Sequence, residues 1–276
     1  MSISAADVKK LRDQTGAGMM DCKKALAESN GDMQAAIELL RKKGQKVSEK
    51  RADREANQGV VVTALSDDAK NAVVLELNCE TDFVAKNEEF VQFATEFAHV
   101  VLTDKPADKE ALHAGFAGSV TVADRLKELV AKIGEKIEIG RFELLETEGQ
   151  VVAYNHPGNQ LCVLVEFESA LDNTEAGRDV AMQVAAMNPI AVLRDQVDTS
   201  VLDKEREIAV EQLINEGKTP EIAEKAAAGK LRRFFEERVL LEQKFVKDSS
   251  LSVQDFLKQS GLPQVRSFVR VQLGAQ

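Results

Sequence analysis

The chain has 276 residues, of which 44% are hydrophobic and 30% charged, and it carries a net charge of −10. That length exceeds one small core and suits two or three domains, and the composition is that of a folded chain. The acidic balance argues against broad nucleic-acid binding, which works by neutralising phosphates, and no apolar run approaches the roughly 20 residues of a membrane span.

The first 45 residues read as three short helices. Ser4 and Asp7 suit an N-terminal cap, Val8 and Leu11 face one way, and Thr15-Gly16 stops the run. A second helix follows Gly18 with Met19, Cys22, Ala25 and Leu26, and ends at Asn30-Gly31. Of the adjacent Met19 and Met20, so small a bundle has room for only one. Asp32 caps a third helix, in which Met33, Ala36, Ile37 and Leu40 follow the spacing of one buried face. Residues 46–58 are dense in charge and poor in apolar side chains, and read as an exposed helix or linker.

Beyond residue 58 the period changes to that of strands, and the chain repeats itself. Gly59-Val60-Val61-Val62 recurs as Gly149-Gln150-Val151-Val152, and Val73-Val74-Leu75-Glu76-Leu77 as Val163-Leu164-Val165-Glu166-Phe167, both at an offset of 90 residues. Each copy gives two strands joined by a polar turn, then a helix. The helices run over 88–102, with Phe90, Val91, Ala94, Phe97 and Ala98 inward, and over 174–187, with Val180, Ala181, Val184 and Met187 inward. Ile137 and Ile139, then Phe142 and Leu144, form a strand with an irregularity between. Val269, Val271 and Leu273 alternate with polar residues as a half-buried strand. The pattern predicts two related core subdomains, 59–140 and 141–197 with 239–276. Residues 198–238 between them read as an inserted antiparallel helical hairpin. Val201, Leu202, Ile208, Ala209 and Leu213 lie on one stripe, and Thr219-Pro220 starts the second helix. A hairpin of that length projects from the body, and its apolar seam offers a surface for homodimer formation. The fold class expected is α+β.

The chemistry of catalysis is hard to find. His99, His113 and His156 are the only histidines, and no nucleophile motif accompanies them. Thr15-Gly16-Ala17-Gly18 lacks the Lys-Ser/Thr of a phosphate loop and reads as a tight turn between helices. Cys22, Cys79 and Cys162 are far apart and without metal-like spacing, which points to a reducing, cytoplasmic setting with no zinc and no cofactor. Residues 1–7 lack the basic and apolar parts of a signal peptide. One feature is out of place: Phe83, flanked by Glu80, Thr81 and Asp82 where an apolar run ends. It either folds back on its own core or waits for a partner.

Leu11 to Leu26, with Thr15-Gly16-Ala17-Gly18-Met19-Met20-Asp21-Cys22 at its centre, resembles the N-terminal signature of bacterial translation elongation factor Ts. Asn78-Cys79 followed by Thr81-Asp82-Phe83-Val84 resembles that family's second signature, and the order of parts is similar over essentially the whole chain. The resemblance implies a UBA-like N-terminal domain and a non-enzymatic partner of elongation factor Tu that promotes GDP release from it. It implies that Phe83 is a wedge disturbing the Mg²⁺ site of that GTPase, with Asp82 beside it and Thr81 and Val84 framing the loop. It further implies that Arg12, Met19, Met20 and Lys23 dock on the nucleotide domain, and that His156 approaches another domain. Many members carry a further C-terminal segment, whereas this sequence stops at Gly274-Ala275-Gln276, so a smaller binding surface is expected. Two competing classes are a ubiquitin-associated-type binding module on a structural core, and an RNA-binding protein, which the charge disfavours.

Overall fold

The computed structural model describes residues 3–275; Met1, Ser2 and Gln276, which enter the readings of the two ends, lie outside the described residues. Three helices come first. α1 (Ala5–Thr15) starts at a capping box between Ser4 and Asp7 and stops at Gly16, whose φ of 65° is left-handed. α2 (Met19–Glu28) and α3 (Met33–Arg51) follow, the latter capped by the Asp32 carboxylate, which accepts from the Gln34 and Ala35 amides. Val8, Leu11, Cys22, Ala25, Leu26 and Ala36 close a small core. Met19 and Met20 both stay outside it, where one was expected inside: the stripe of α2 that meets its neighbours begins only at Cys22.

α3 runs unbroken through residues 45 and 46, where the charge pattern put the start of a connector. Its second half lies along the core, so close that a Cβ on Gly44 would stand 3.0 Å from the Ala131 Cβ.

The core holds two copies of one unit. In the first, β1 (Gln58–Leu65) and β2 (Asn71–Cys79) form a hairpin, followed by α4 (Asp82–Ala85) and α5 (Glu88–Asp104). Then come α6 (Lys109–Ala114), the short β3 (Phe116–Ala117) and β4 (Val120–Thr121), α7 (Val122–Ile133), and β5 (Ile137–Glu146), which returns antiparallel to β2. The second copy is β6 (Gln150–Asn155), β7 (Leu161–Phe167) and α8 (Thr174–Met187). After the hairpin α9 (Thr199–Asn215) and α10 (Pro220–Arg238), the chain adds β8 (Lys244–Phe245), β9 (Asp248–Ser252) and α11 (Val253–Gln259), and β10 (Val265–Gln272) closes on β7.

The repeat extends to register. Val62 pairs with Leu75, and 90 residues on Val152 pairs with Val165. On the third strands Leu75 pairs with Phe142 and Val165 with Phe268. Each third strand also carries one bulge at the same level, Gly140 in β5 and Arg266 in β10. The irregularity expected between Ile139 and Phe142 is that bulge.

The two sheets pack face to face through Val61, Ala72, Val74 and Leu145 on one and Val151, Cys162, Leu164 and Val271 on the other. Their outer faces are covered by helices: Phe90, Ala94, Phe97, Leu126 and Val130 on the first, Val180, Val184 and Leu257 on the second. Because both faces are covered, Val60-Val61-Val62 reads as a continuous apolar run rather than an alternation. Met187, expected inward, is 41% exposed, since Asn188 in the left-handed region turns the chain away just after it.

The hairpin leaves and rejoins the core where Ala191 and Val239 form a bridge. Ala209, Leu213, Ala223 and Ala227 make its seam, while Ile208, read on the same stripe, is exposed because the alanine-rich contact is narrower than the stripe. Among the described residues no helix is long and apolar enough to cross a membrane.

Candidate functional site

The candidate site is a turn between a strand and a helix. β2 ends at Cys79, whose Sγ donates to the Thr81 carbonyl (3.2 Å). Burial pushes that thiol up to about 12, and the charge of Glu135 adds to the shift. Thr81 caps the four-residue α4: its Oγ1 accepts the Val84 amide (3.4 Å), and its carbonyl accepts the Ala85 amide. Asn87, one residue past the α4 cap, then caps α5 by accepting the Glu89 amide at 2.9 Å. Two caps within seven residues force a tight excursion of the chain.

Side chains on this excursion point opposite ways. Val84 and Ala85 pack into the core between β2 and α5. Phe83 faces solvent at 84% exposure, more than any other large hydrophobic among the described residues. The alternative of Phe83 folding back on its own core is thereby removed. Asp82 beside it pairs with Lys86 Nζ (2.6 Å), and that hydrogen bond holds its carboxyl below the ordinary range. The ring itself rests on nothing, whereas the backbone beneath it is fixed.

Two braces reach the turn from distant parts of the chain, and sequence reasoning missed both. Glu80 accepts from Arg51 at the end of α3 (3.0 Å to each oxygen) and from the Lys136 amide (2.6 Å). The hydrogen bond donated by the Lys136 amide is the main cause that holds the Glu80 carboxyl below its ordinary value, and Arg51 adds to it. Glu135 accepts from the Thr81 amide (3.0 Å) and the Thr81 hydroxyl (2.7 Å). Only Glu80 itself was a local hint; partners 29 and 54 residues away leave no local signal.

The other candidates sit on separate surfaces. Arg12, Met19, Met20 and Lys23 are exposed on the bundle, with Met19, Met20 and Lys23 on one face of α2. The bundle is tied to the same region: the Lys132 side chain lies against Gly16 and pairs with Glu89 of α5. A cavity of about 180 Å³ remains between the bundle and α7, lined in part by Thr15, Ile37, Leu40, Gly44 and Lys132.

His156 is exposed in the β6–β7 turn, its Nδ1 3.0 Å from the Tyr154 hydroxyl. That turn is fastened to β1, through Val61 donating to the Asn159 carbonyl (2.6 Å) and Thr63 to Asn155 Oδ1 (2.9 Å). Gln58, at the other end of β1, pairs with Cys79 just before the Phe83 turn. β1 therefore separates the two turns by about 10–17 Å of strand.

Fold and site together define an α+β protein built on two packed three-stranded sheets, with a helical bundle in front and a hairpin inserted, that displays one aromatic side chain on a braced turn. The family described as Elongation factor TS matches residues 80–275. A protein named Elongation factor Ts from Christiangramia forsetii is 48% identical over 274 residues, covering 99% of both chains. Those of Prosthecochloris aestuarii, 47% identical over 99% of both chains, and Thioalkalivibrio sulfidiphilus, 46% identical over 99% of this chain and 93% of the relative, agree. The chain belongs to the elongation factor Ts family, and so to the factors of translation elongation in protein biosynthesis.

Proposed function

We propose that this chain is a guanine-nucleotide exchange factor that binds elongation factor Tu in its GDP-bound and nucleotide-free forms. On this reading it promotes GDP release by disturbing the Mg²⁺ and phosphate site, after which GTP rebinds. The observation that carries it is the exposed Phe83 on a turn braced by Arg51 and the Lys136 amide through Glu80, and by Glu135 through Thr81. An aromatic anchor of that kind typically costs about 2 kcal/mol or more of binding when truncated.

Exchange of this type makes and breaks no covalent bond. A factor that binds the nucleotide-free GTPase more tightly than the nucleotide-bound form must, by linkage, weaken the nucleotide by the same factor. Much of the nucleotide's hold passes through Mg²⁺ and its phosphates, so a small displacement of that ion's ligands is enough. Phe83 is the wedge, Asp82 the polar contact beside it, and Thr81 and Val84 the frame. Arg12, Met19, Met20 and Lys23 dock a UBA-like bundle on the nucleotide domain, and His156 touches another domain. The two helices of the hairpin fill its seam between themselves, so a homodimer through the hairpin would use its exposed Ile208, Ile214 and Ile222. The protein works in the cytoplasm.

The test is a comparison of affinities. The full chain should bind nucleotide-free elongation factor Tu far more tightly than the GDP-loaded form. Equal affinities would rule out exchange, since a ligand that does not discriminate shifts nothing.

A further inference from the structure

Phe83 has no packing of its own, so whatever aims it must act through the backbone. Residues 80–81 and 135–136 hold each other reciprocally. The Glu80 carboxylate takes the Lys136 amide at 2.6 Å, and the Glu135 carboxylate takes the Thr81 amide at 3.0 Å. Glu135 does more than its counterpart. It also accepts the Thr81 hydroxyl proton at 2.7 Å, which leaves the lone pairs of Thr81 Oγ1 facing the Val84 amide. The result is a chain of three groups, carboxylate, hydroxyl and amide, in which each bond polarises the next and the first turn of α4 is fixed.

The position of Glu135 is itself rigid. α7 stops at Gly134, whose φ of 83° is left-handed, and three residues later, at Ile137, β5 begins its pairing with β2. Gly134 therefore breaks α7 where Glu135 is carried back over the end of β2. A Thr cap needs no such support, because a hydroxyl accepts an amide unaided. The extra carboxylate makes sense where the turn must not yield under load.

We propose that Glu135 is the positioning residue of the Phe83 turn: its carboxylate, through the Thr81 amide and hydroxyl, holds α4 so that the aromatic ring meets its partner pre-aimed. This rests on Phe83 acting as the wedge in nucleotide exchange. Pre-aiming lowers the ordering cost of the step in which the ring enters the partner, and leaves the initial encounter unchanged.

The experiment uses the full chain with Phe83→Trp, which becomes its only tryptophan. Steady-state anisotropy of that indole reports freedom of the turn, and maximal GDP release from elongation factor Tu is measured in parallel for chains with the native Phe83. Glu135→Ala should lower the anisotropy and reduce the maximal release rate by about tenfold, with little change in half-saturating concentration. Glu135→Gln keeps the shape and one acceptor, should fall between, and serves if the Ala variant does not fold.

In a Phe83→Ala background, Glu135→Ala should cost nothing further. Unchanged anisotropy and release in both Glu135 variants would overturn the proposal, as would an equal loss of release with and without Phe83. If Phe83→Ala alone releases GDP as fast as the intact chain, the wedge is wrong, and the anisotropy by itself then decides whether Glu135 holds the turn.

Discussion

Ala69 and Asn159 occupy the same place in the two copies of the core unit, and each fastens the opposite copy. The Asn159 carbonyl accepts the Val61 amide at 2.6 Å, and the Ala69 carbonyl accepts the Val151 amide at 2.8 Å. Donors and acceptors are both 90 residues apart, so the pair of bonds is related by the internal two-fold of the sandwich. Both residues are left-handed, each with φ 54°. Asn tolerates that conformation and Ala does so poorly. Ala69→Asn, the residue the second copy uses, should therefore stabilise the protein by about 1 kcal/mol, read as a higher midpoint in urea. A lower midpoint would mean that the turn does not need this backbone conformation.

Gly59 and Gly149 are a second equivalent pair. A Cβ on Gly59 would stand 2.3 Å from the Leu77 carbonyl oxygen, and one on Gly149 would stand 1.9 Å from that of Phe167. The obstacle is backbone in a paired strand and cannot swing aside. Gly149→Ala should cost about 3 kcal/mol, and Gly59→Ala somewhat less. A loss below ~1 kcal/mol at either site would contradict the close approach.

The brace on the turn carries a pH signature. The Glu80 carboxyl is held below its ordinary value of 4.5 by the Lys136 amide first and Arg51 second. A group whose folded value is depressed contributes stability above its unfolded value and loses it as pH falls through the folded one. The melting temperature of the protein should thus exceed that of Glu80→Gln at neutral pH. The gap should close as the solution is acidified below about pH 4.5. A gap that is constant, or widens in acid, would contradict a Glu80 carboxyl held low by these two partners.

The repeat was readable because the packing that made it also wrote it down. Strands covered on both faces leave Val-rich runs in both copies, and the helix over 174–187 agrees with α8 to the residue. α7 was missed, although Val122, Leu126, Leu129 and Val130 have helical spacing and Thr121 caps it. The β8–β9 pair and α11 were missed too, since their strands are short. At the turn, the polar run with one aromatic was visible, but the choice between a tucked and a displayed Phe83 was not. The contacts that brace the turn, from Arg51, Glu135 and the Lys136 amide, close only when α3, β2 and the link between α7 and β5 have assembled.

Stability and function separate most cleanly at Phe83. Its ring is almost fully exposed, so Phe83→Ala should melt within experimental error of the parent, whereas truncating a core aromatic such as Phe97 should cost about 3–5 kcal/mol. Release of a fluorescent GDP from elongation factor Tu should be strongly accelerated by the intact chain and mostly lost with the folded Phe83→Ala variant. Acceleration that survives the substitution unchanged would contradict Phe83 as the wedge.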